Sequence, residues 1–212
     1  MTYEISIRIT FPEEIAGILR KEKQRYINDY GSGYKSEPHI TLYLDSYTAD
    51  GYPKLLEKLE QLRVKPFSIS LLAPKIRIEN ERHRNLYVMD VSNKAALNDL
   101  YEKISEIAAP YRSPFLRKKK QKELADRGIY TDGTRKSLPT HDIPDEPFDP
   151  HITLGEIDFD KPQANITESQ KNLRLIEGKE IKISGVTVFC YGKEDNAGRV
   201  TLVEEKTISF SR

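Results

Sequence analysis

Cysteine is almost absent from the sequence, which contains only Cys190. A single thiol excludes a disulfide within the chain and a zinc cluster built on cysteines, so a cytoplasmic location is the expected one. Cys190 lies in the apolar run Thr187–Tyr191, which is typical of a β-strand. We therefore expect Cys190 to be simply a small buried residue.

Long apolar stretches are also lacking. No segment of the sequence approaches the roughly 20 consecutive apolar residues that a membrane helix needs. The first residues, Met1–Ile7, do not combine a basic region with an apolar block, so we see no secretory signal. With 37% apolar and 32% charged residues in 212, the composition predicts a soluble, folded chain that does not associate with membranes.

An excess of one charge is missing as well, because 34 Lys and Arg stand against 33 Asp and Glu, for a formal net charge of +1. A strongly basic surface for long nucleic acid is therefore not expected for the chain as a whole. One local basic run, Arg117–Lys122, contains Lys118, Lys119 and Lys120. These three lysines are candidates for contacts with substrate phosphates, and a solvated helix face is the alternative.

Histidine is scarce, with 4 in the chain, yet two of them occupy one repeated string: acidic residue, Pro, His, Ile, Thr, Leu. The two copies are Glu37–Leu42 and Asp149–Leu154. Because side chains alternate along a strand, the His and the Thr of each copy are expected on one face, an imidazole beside a hydroxyl. These pairs are His39 with Thr41 and His151 with Thr153.

The predicted elements around the two strings follow the same order. The first series is a strand at 2–10, a helix at 12–30, the first His strand, a helix at 52–62 and a strand at 67–79. The second series is a strand at 85–91, a helix at 94–109, the second His strand, a helix at 168–177 and a strand at 179–191, and a strand at 200–210 closes the chain. The order indicates a duplication, with approximate repeat units 1–84 and 85–212.

The duplication predicts an α+β fold in a single bilobal domain that covers residues 1–212. Each lobe would be a largely antiparallel sheet with helices on its outer face. An approximate two-fold axis would relate the lobes, and each lobe would lend one His strand to the cleft between them. We expect the protein to be a monomer.

The repeat is interrupted at one place. The segment 113–148 separates the third helix from the second His strand, whereas the first half needs only Gly31–Lys35 at the corresponding position. A connection of this length in a compact domain is usually functional or mobile. We predict a lid or a substrate-selecting insertion, with a mobile loop as the alternative.

Two imidazoles that face one substrate suit acid–base work on a phosphodiester. One ring can take a proton from the attacking oxygen while the other gives a proton to the leaving oxygen, since the unperturbed pKa of imidazole is about 6.5. Threonine hydroxyls can donate hydrogen bonds to the non-bridging oxygens as their charge increases. His39 and His151 are thus the candidate catalytic residues, and Thr41 and Thr153 the candidate phosphate-binding residues.

The paired His-x-Thr strings on duplicated halves resemble the two-histidine (2H) phosphoesterase superfamily, which includes RNA 2′,3′-cyclic phosphodiesterases, also called 2′-5′ RNA ligases. The resemblance implies opening of 2′,3′-cyclic phosphates, or cleavage of 2′-5′ linkages, in nucleotides or RNA ends, without a metal or another cofactor. It also suggests His151 as the base that activates water and His39 as the acid that protonates the leaving oxygen. The two-fold arrangement leaves these two roles exchangeable.

Other interpretations of the strings are open. The two histidines with Glu37 and Asp149 could hold a divalent ion, although each acid is separated from its His by a proline and a third convergent ligand is not evident. A serine nucleophile is not indicated, because the sequence has no Gly-x-Ser-x-Gly. A nucleotide- or RNA-binding module that keeps the cleft with little turnover is the alternative from a different class.

Some residues outside the strings are further candidates for contact with substrate. Tyr43 continues the alternation of His39 and Thr41 and could stack on a base, or it could be a core residue. Tyr191 and Lys193 flank a turn after a predicted strand and could contact a phosphate.

Overall fold

The computed structural model describes residues 2–30, 36–79, 84–113, 148–158, 171–192 and 201–210. The strands are β1 (Thr2–Thr10), β2 (His39–Thr48), β3 (Phe67–Glu79), β4 (Arg84–Val91), β5 (His151–Asp158), β6 (Glu180–Ile183), β7 (Gly185–Tyr191) and β8 (Leu202–Ser209). The helices are α1 (Glu13–Tyr30), α2 (Gly51–Glu60) and α3 (Lys94–Ala108), with a short 3-10 turn at Ala109–Tyr111. These described helices include none that is long and apolar enough to cross a membrane.

All eight strands join one antiparallel sheet in the order β6-β3-β4-β5-β2-β1-β7-β8. Strand β6 pairs with β3 at one edge, while β7 pairs with β1 near the other edge. Only Ser184 separates β6 from β7 in the chain. The sheet must therefore curl so that its two ends approach each other, and the predicted α+β class is confirmed.

The two His strands are neighbours at the middle of this sheet. Strand β2 pairs with β5 through Ile40 and Ile152, each of which directly follows the His of its string. Outside them, β1 flanks β2 and β4 flanks β5. A two-fold relationship requires such a pairing of equivalent residues, and the division into two symmetric lobes stays a prediction.

Helices α1 and α3 each cover the His strand of the other half, since α1 packs against β5 and α3 against β2. The α1 contact depends on Gly155, where an added Cβ would lie 2.1 Å from the ring of Tyr26. The same Tyr26 ring stacks on Tyr87 of β4, with centroids 5.5 Å apart and ring planes at 21°. A side chain at position 155 would therefore displace the helix from the sheet.

Apolar faces of β1 and of the three helices contribute to the core. Their buried residues include Ile5, Ile7 and Ile9 of β1, Ile15, Leu19 and Tyr26 of α1, Leu55, Leu56 and Leu59 of α2, and Leu97, Leu100 and Ile104 of α3. Cys190 is fully buried in β7, as expected. Helix α1 also buries the charged residues Glu22 and Lys23, which its sequence did not predict.

Two strand predictions had different outcomes. The strand expected at 67–79 is present as β3, and its pairing with β4 shifts register between Leu71 and Pro74. The single strand expected at 179–191 is instead divided at Ser184 into β6 and β7, which pair with different neighbours. The sequence shows no break there except Gly185.

The predicted insertion at 113–148 falls almost entirely outside the described residues, and so do residues 168–170 of the predicted helix at 168–177. The rest of that predicted helix is helical only at 171–173, and 174–176 form a turn. The first and last residues of the insertion, Ser113 and Phe148, both contact described elements of the fold. The Ser113 N–H donates to the Ser46 carbonyl at 2.8 Å, and the Phe148 ring stacks on Tyr101 of α3 with centroids 4.5 Å apart.

Candidate active site

The histidine and threonine of each string lie on one face of the sheet. In β2, His39 is paired with Thr10 and Thr41 with Arg8. The next pair is Tyr43 with Ile7, so Leu42 is a bulge residue without a partner in the register.

Strand β5 repeats this arrangement at the same place in its string. His151 is paired with Asp90 and Thr153 with Val88, and the next pair is Gly155 with Tyr87. Leu154 is therefore the bulge residue here, as the equivalent leucine is in β2. Both strings keep a His–Thr pair on one face and reverse the alternation directly after it.

The bulge changes the position of Tyr43. The expectation that Tyr43 shares the face of His39 and Thr41 is wrong, because the bulge at Leu42 turns it to the side of Ile7. Tyr43 is fully buried in the hydrophobic core. A nucleobase cannot stack on it there, and alternation alone could not reveal the bulge.

Both imidazoles are held by a main-chain carbonyl two residues earlier. The Nδ1 atom of His39 lies 2.6 Å from the Glu37 oxygen, and the Nδ1 atom of His151 lies 2.7 Å from the Asp149 oxygen. Because a carbonyl oxygen only accepts, each Nδ1 carries the proton. In the neutral rings Nε2 is then left as a proton acceptor.

Arg77 lies close to the same nitrogen of His151, with Nη1 at 3.2 Å from Nδ1. A guanidinium only donates, so it cannot bond an Nδ1 that is itself donating to the Asp149 carbonyl. We assign the shorter contact, to the carbonyl, as the hydrogen bond. Arg77 then acts on His151 through its charge.

The surroundings of His39 favour the neutral ring. Burial and then the positive charge of Arg8 lower its pKa to about 3, with smaller contributions in the same direction from Lys23 and His151. The bond to the Glu37 carbonyl opposes this change. His151 contributes the smallest of these effects on the pKa of His39, in line with the pairing of β2 with β5.

His151 has a different set of neighbours. Burial lowers its pKa, and the charge of Arg77 adds to that effect. The bond to the Asp149 carbonyl and the negative charges of Asp149 and Asp90 raise it. The charged neighbours of His151 are therefore two carboxylates and the Arg77 cation, whereas those of His39 are cations.

Thr41 and Thr153 are both half-buried, so their hydroxyls lie on the face of the histidines without being sealed in the core. The structure thus brings all four string residues to the central strands β2 and β5. Each half presents an imidazole nitrogen and a hydroxyl, which are the groups that the predicted chemistry needs.

Arg8 stands beside the first His–Thr pair, on an aromatic support. Its guanidinium lies 4.7 Å from the ring centroid of Phe189 and 5.6 Å from that of Tyr191. Its Nε donates to the Ser6 hydroxyl at 2.7 Å. The rings that hold Arg8 belong to β7, which is remote from β1 in sequence but pairs with it in the sheet.

A network of charges stands beside the second pair. Arg77 binds Asp149 at 2.6 Å and Asp90 at 3.4 Å. Lys94 binds the other oxygen of Asp149 at 2.7 Å, and Lys75 is ion-paired with Asp90. The sequence did not single out these cations, because they reach the site from β3 and α3.

Other predicted contacts have mixed outcomes. Tyr191 is half-buried on the face that carries Arg8. Lys118, Lys119, Lys120 and Lys193 lie outside the described residues. Within the described ranges, no group of three or more His, Cys, Asp or Glu side chains could hold a metal ion.

Comparisons with known proteins agree with this geometry. Residues 11–188 match the family model of the 2'-5' RNA ligase superfamily, and no curated protein matches the chain. Escherichia coli LigT complexed with 3'-AMP is similar in structure, with a TM-score of 0.59, 14% identity and coverage of 98% of this chain and 99% of that chain. TT0787 of Thermus thermophilus has a TM-score of 0.58, 15% identity and coverage of 99% and 100%.

At these identities the solved structures establish the shared fold alone. The family model carries more weight, because it spans residues 11–188 of 212 and includes both strings. The chain therefore belongs to the 2'-5' RNA ligase superfamily, the two-histidine phosphoesterase group that its repeated string predicts.

Proposed function

We propose that the protein is a metal-independent phosphodiesterase that opens 2′,3′-cyclic phosphates, or cleaves 2′-5′ linkages, in nucleotides or RNA ends. The observation that carries the proposal is that His39 and His151 have the same tautomer and the same main-chain hydrogen bond. Each donates its Nδ1 proton to a main-chain carbonyl and keeps Nε2 for another partner. Membership of the superfamily supports phosphoesterase chemistry of this general kind.

In the proposed reaction, one histidine removes a proton from water as the water oxygen attacks phosphorus. The bond from phosphorus to the 3′ oxygen breaks, the other histidine protonates that oxygen through Nε2, and a 2′-phosphomonoester results. Exchange with solvent then restores the two rings. Thr41 and Thr153 donate hydrogen bonds to the non-bridging oxygens, which gain charge in the transition state.

The charges around the rings favour His39 as the base and His151 as the acid, the reverse of the roles that the resemblance suggested. Arg8 and Lys23 favour neutral His39, which can accept a proton. Burial and Arg77 lower the pKa of His151 too, but the charges of Asp149 and Asp90 oppose that change and favour the protonated ring, which can donate a proton. An anionic phosphate between the rings would raise the pKa of both histidines and bring these two pKa values closer to neutral pH.

The support of Arg8 offers a place for the nucleoside. Arg8, Phe189 and Tyr191 form a partly exposed stack on the face of Thr41, and nucleobases stack on aromatic rings and guanidinium planes. LigT structures with 3'-AMP and NADP+ provide nucleotide-bound examples of a similar fold.

Phe189→Leu should raise KM for a cyclic nucleotide about tenfold, in line with one lost base stack. A base-free ribose 2′,3′-cyclic phosphate should show no such change.

The principal test is hydrolysis of 2′,3′-cyclic nucleotides, cyclic-phosphate RNA ends and 2′-5′ dinucleotides by the wild-type protein with a chelator present. We expect turnover with a bell-shaped dependence of kcat/KM on pH, because one base and one acid act together. Loss of activity in chelator would contradict the metal-free mechanism. Turnover of only one substrate class would define the natural linkage.

A binding module with little turnover is the second candidate. The observation that favours it is that both histidines have a lowered pKa, so a protonated acid is scarce in the free protein at neutral pH. This candidate expects nucleotide affinity without hydrolysis for the whole substrate panel. Isothermal titration with 3'-AMP separates the two candidates when turnover is absent.

A further inference from the structure

The acidic residue that opens each string has no role in the proposed acid–base reaction, although both copies carry one. We propose that Glu37 and Asp149 are positioning residues for the two histidines. Each offers its main-chain carbonyl to the histidine Nδ1, and cations from other elements hold its carboxylate. The arrangement selects the Nδ1-protonated ring and directs Nε2 to the phosphodiester, so its catalytic meaning rests on the proposed function.

In the first half, helix α1 holds this residue. Arg20 donates to Oε2 of Glu37 through Nε at 3.0 Å and Nη2 at 2.9 Å, and its Nε also lies 3.2 Å from Oε1. Its Nη1 donates to Glu13 at 3.0 Å. Lys23, which is buried, donates from Nζ to the carbonyl of Ser36 at 2.7 Å. Two consecutive residues before Pro38 are thus fixed to the helix.

In the second half, β3 and α3 hold the equivalent residue. Arg77 lies 2.6 Å from one oxygen of Asp149, and Lys94 lies 2.7 Å from the other. Arg77 also contacts Asp90, which is paired with His151 in the sheet. The carboxylate is therefore held from two sides, although the cations come from different elements than in the first half.

The proline between the acid and the histidine completes the arrangement. A residue before proline is restricted to extended conformations, so the direction of the Glu37 or Asp149 carbonyl is already limited. Pro38 and Pro150 are both buried, which fixes the peptide that joins carbonyl and ring. A carboxylate anchored to a neighbouring element then removes the remaining freedom of the carbonyl.

The two arrangements differ in exposure. Arg20 and Glu37 side chains are 46% and 62% exposed, whereas those of Arg77 and Asp149 are 21% and 41% exposed. Solvent weakens exposed ion pairs, so the ion pairs of Asp149 should restrict its histidine more than those of Glu37 do.

We expect Asp149→Asn to lower kcat about 10- to 100-fold with a smaller change in KM, because small displacements of reacting groups carry costs of that size. Glu37→Gln should lower kcat less.

The decisive measurement is the tautomer of each ring, from imidazole nitrogen shifts in NMR spectra of the free protein. The wild-type protein should show Nδ1–H at both histidines. Asp149→Asn should introduce an Nε2–H population at His151 alone, and Asp149→Glu should restore the wild-type state. Glu13→Gln is the matched control, since Glu13 pairs with Arg20 but precedes no histidine, and it should leave both rings and kcat unchanged.

Lys94→Gln tests the same anchor if Asp149→Asn does not fold, because Lys94 is half exposed and its loss should shift His151 in the same direction by less. Unchanged tautomers in both variants would overturn the proposal. If the wild-type protein hydrolyses no cyclic phosphate, the proposed function fails, while the spectra of the free protein still decide whether the carboxylates position the rings.

Discussion

The halves around His39 and His151 share a backbone register but differ in the residues beside it. Arg8 is the strand partner of Thr41, whereas Val88 is the partner of Thr153. The shared register, with a bulge after each Thr, provides two similar His–Thr pairs. The different neighbours then give the two imidazoles different charge environments.

The difference continues one strand farther from the centre. Ser6 and Leu86 hold equivalent positions, each two residues before the strand partner of a string threonine. Ser6 is paired with Phe189 of β7, whereas Leu86 is paired with Arg77 of β3. The first half therefore has an aromatic ring where the second has a cation that binds carboxylates. Two strings with the same register can in this way serve an asymmetric substrate, and the proposed function would place the nucleoside beside the aromatic ring and away from the charged network.

The largest expected effects are those shared by the halves. His39→Ala and His151→Ala should each reduce hydrolysis of a 2′,3′-cyclic nucleotide by roughly 10²- to 10⁴-fold, because each removes a general acid or base. Steady-state rates of the two variants and of the double variant provide the comparison. A rate near that of the wild-type protein in either single variant would remove that half from the mechanism.

The hydroxyls should have the next largest effects. Thr41→Ala and Thr153→Ala should lower kcat by about 10²-fold or somewhat more, as expected when a donor to a developing oxyanion is lost. Thr→Ser variants retain the hydroxyl and serve as controls. If Thr41→Ala is nearly neutral while Thr153→Ala is not, Arg8 is compensating in the first half, and the double variant with Arg8→Met should then lose the remaining activity.

The residue after the bulge is Tyr43 in the first half and Gly155 in the second, and we expect the glycine to be required for full stability of the fold. Gly155→Ala should lower the free energy of unfolding by about 1–3 kcal/mol, because the new Cβ would overlap the Tyr26 ring. Gly17→Ala in α1 is the control: its Cβ would meet only Glu13 at 3.7 Å, and alanine favours a helix by about 0.5–1 kcal/mol. Denaturant unfolding measures both changes. Equal midpoints for Gly155→Ala and the wild-type protein would show that α1 moves without cost.

Much of the fold and the centre of the candidate site could be predicted from the sequence. Apolar residues alternate along β1, and Ile5, Ile7 and Ile9 are buried in the core. The repeated string singled out His39 and His151, which the fold places on adjacent strands. These features are local or repeated, so they leave a pattern in the chain.

The features that could not be predicted depend on contacts between distant elements. The bulge that buries Tyr43 is a property of strand pairing, since nothing in the string marks it. Arg8 becomes part of the site through rings on β7, and Arg77 through carboxylates on β4 and before β5. Each partner is remote in sequence, so only the fold reveals which charged residues of the polar faces contact one another.

The smallest expected effect is a change of pKa, and it bears directly on the roles of the two halves. Arg8→Met should raise the pKa of His39 from about 3, because the nearby positive charge is removed, while burial keeps it below the ordinary value. If His39 is the base, its neutral form is required, so the acid-side limb of kcat/KM should move to higher pH. An NMR titration of the His39 ring measures the same pKa independently.

Arg8→Lys is the matched control, since it keeps the charge but loses the planar group over Phe189 and Tyr191. It should leave the acid-side limb in place while raising KM for a cyclic nucleotide. If Arg8→Met moves the alkaline limb instead, His39 is the acid and the roles return to those suggested by the family resemblance. The charge that makes the halves different would then tune proton donation rather than proton removal, because a cation beside an acid makes its proton easier to release.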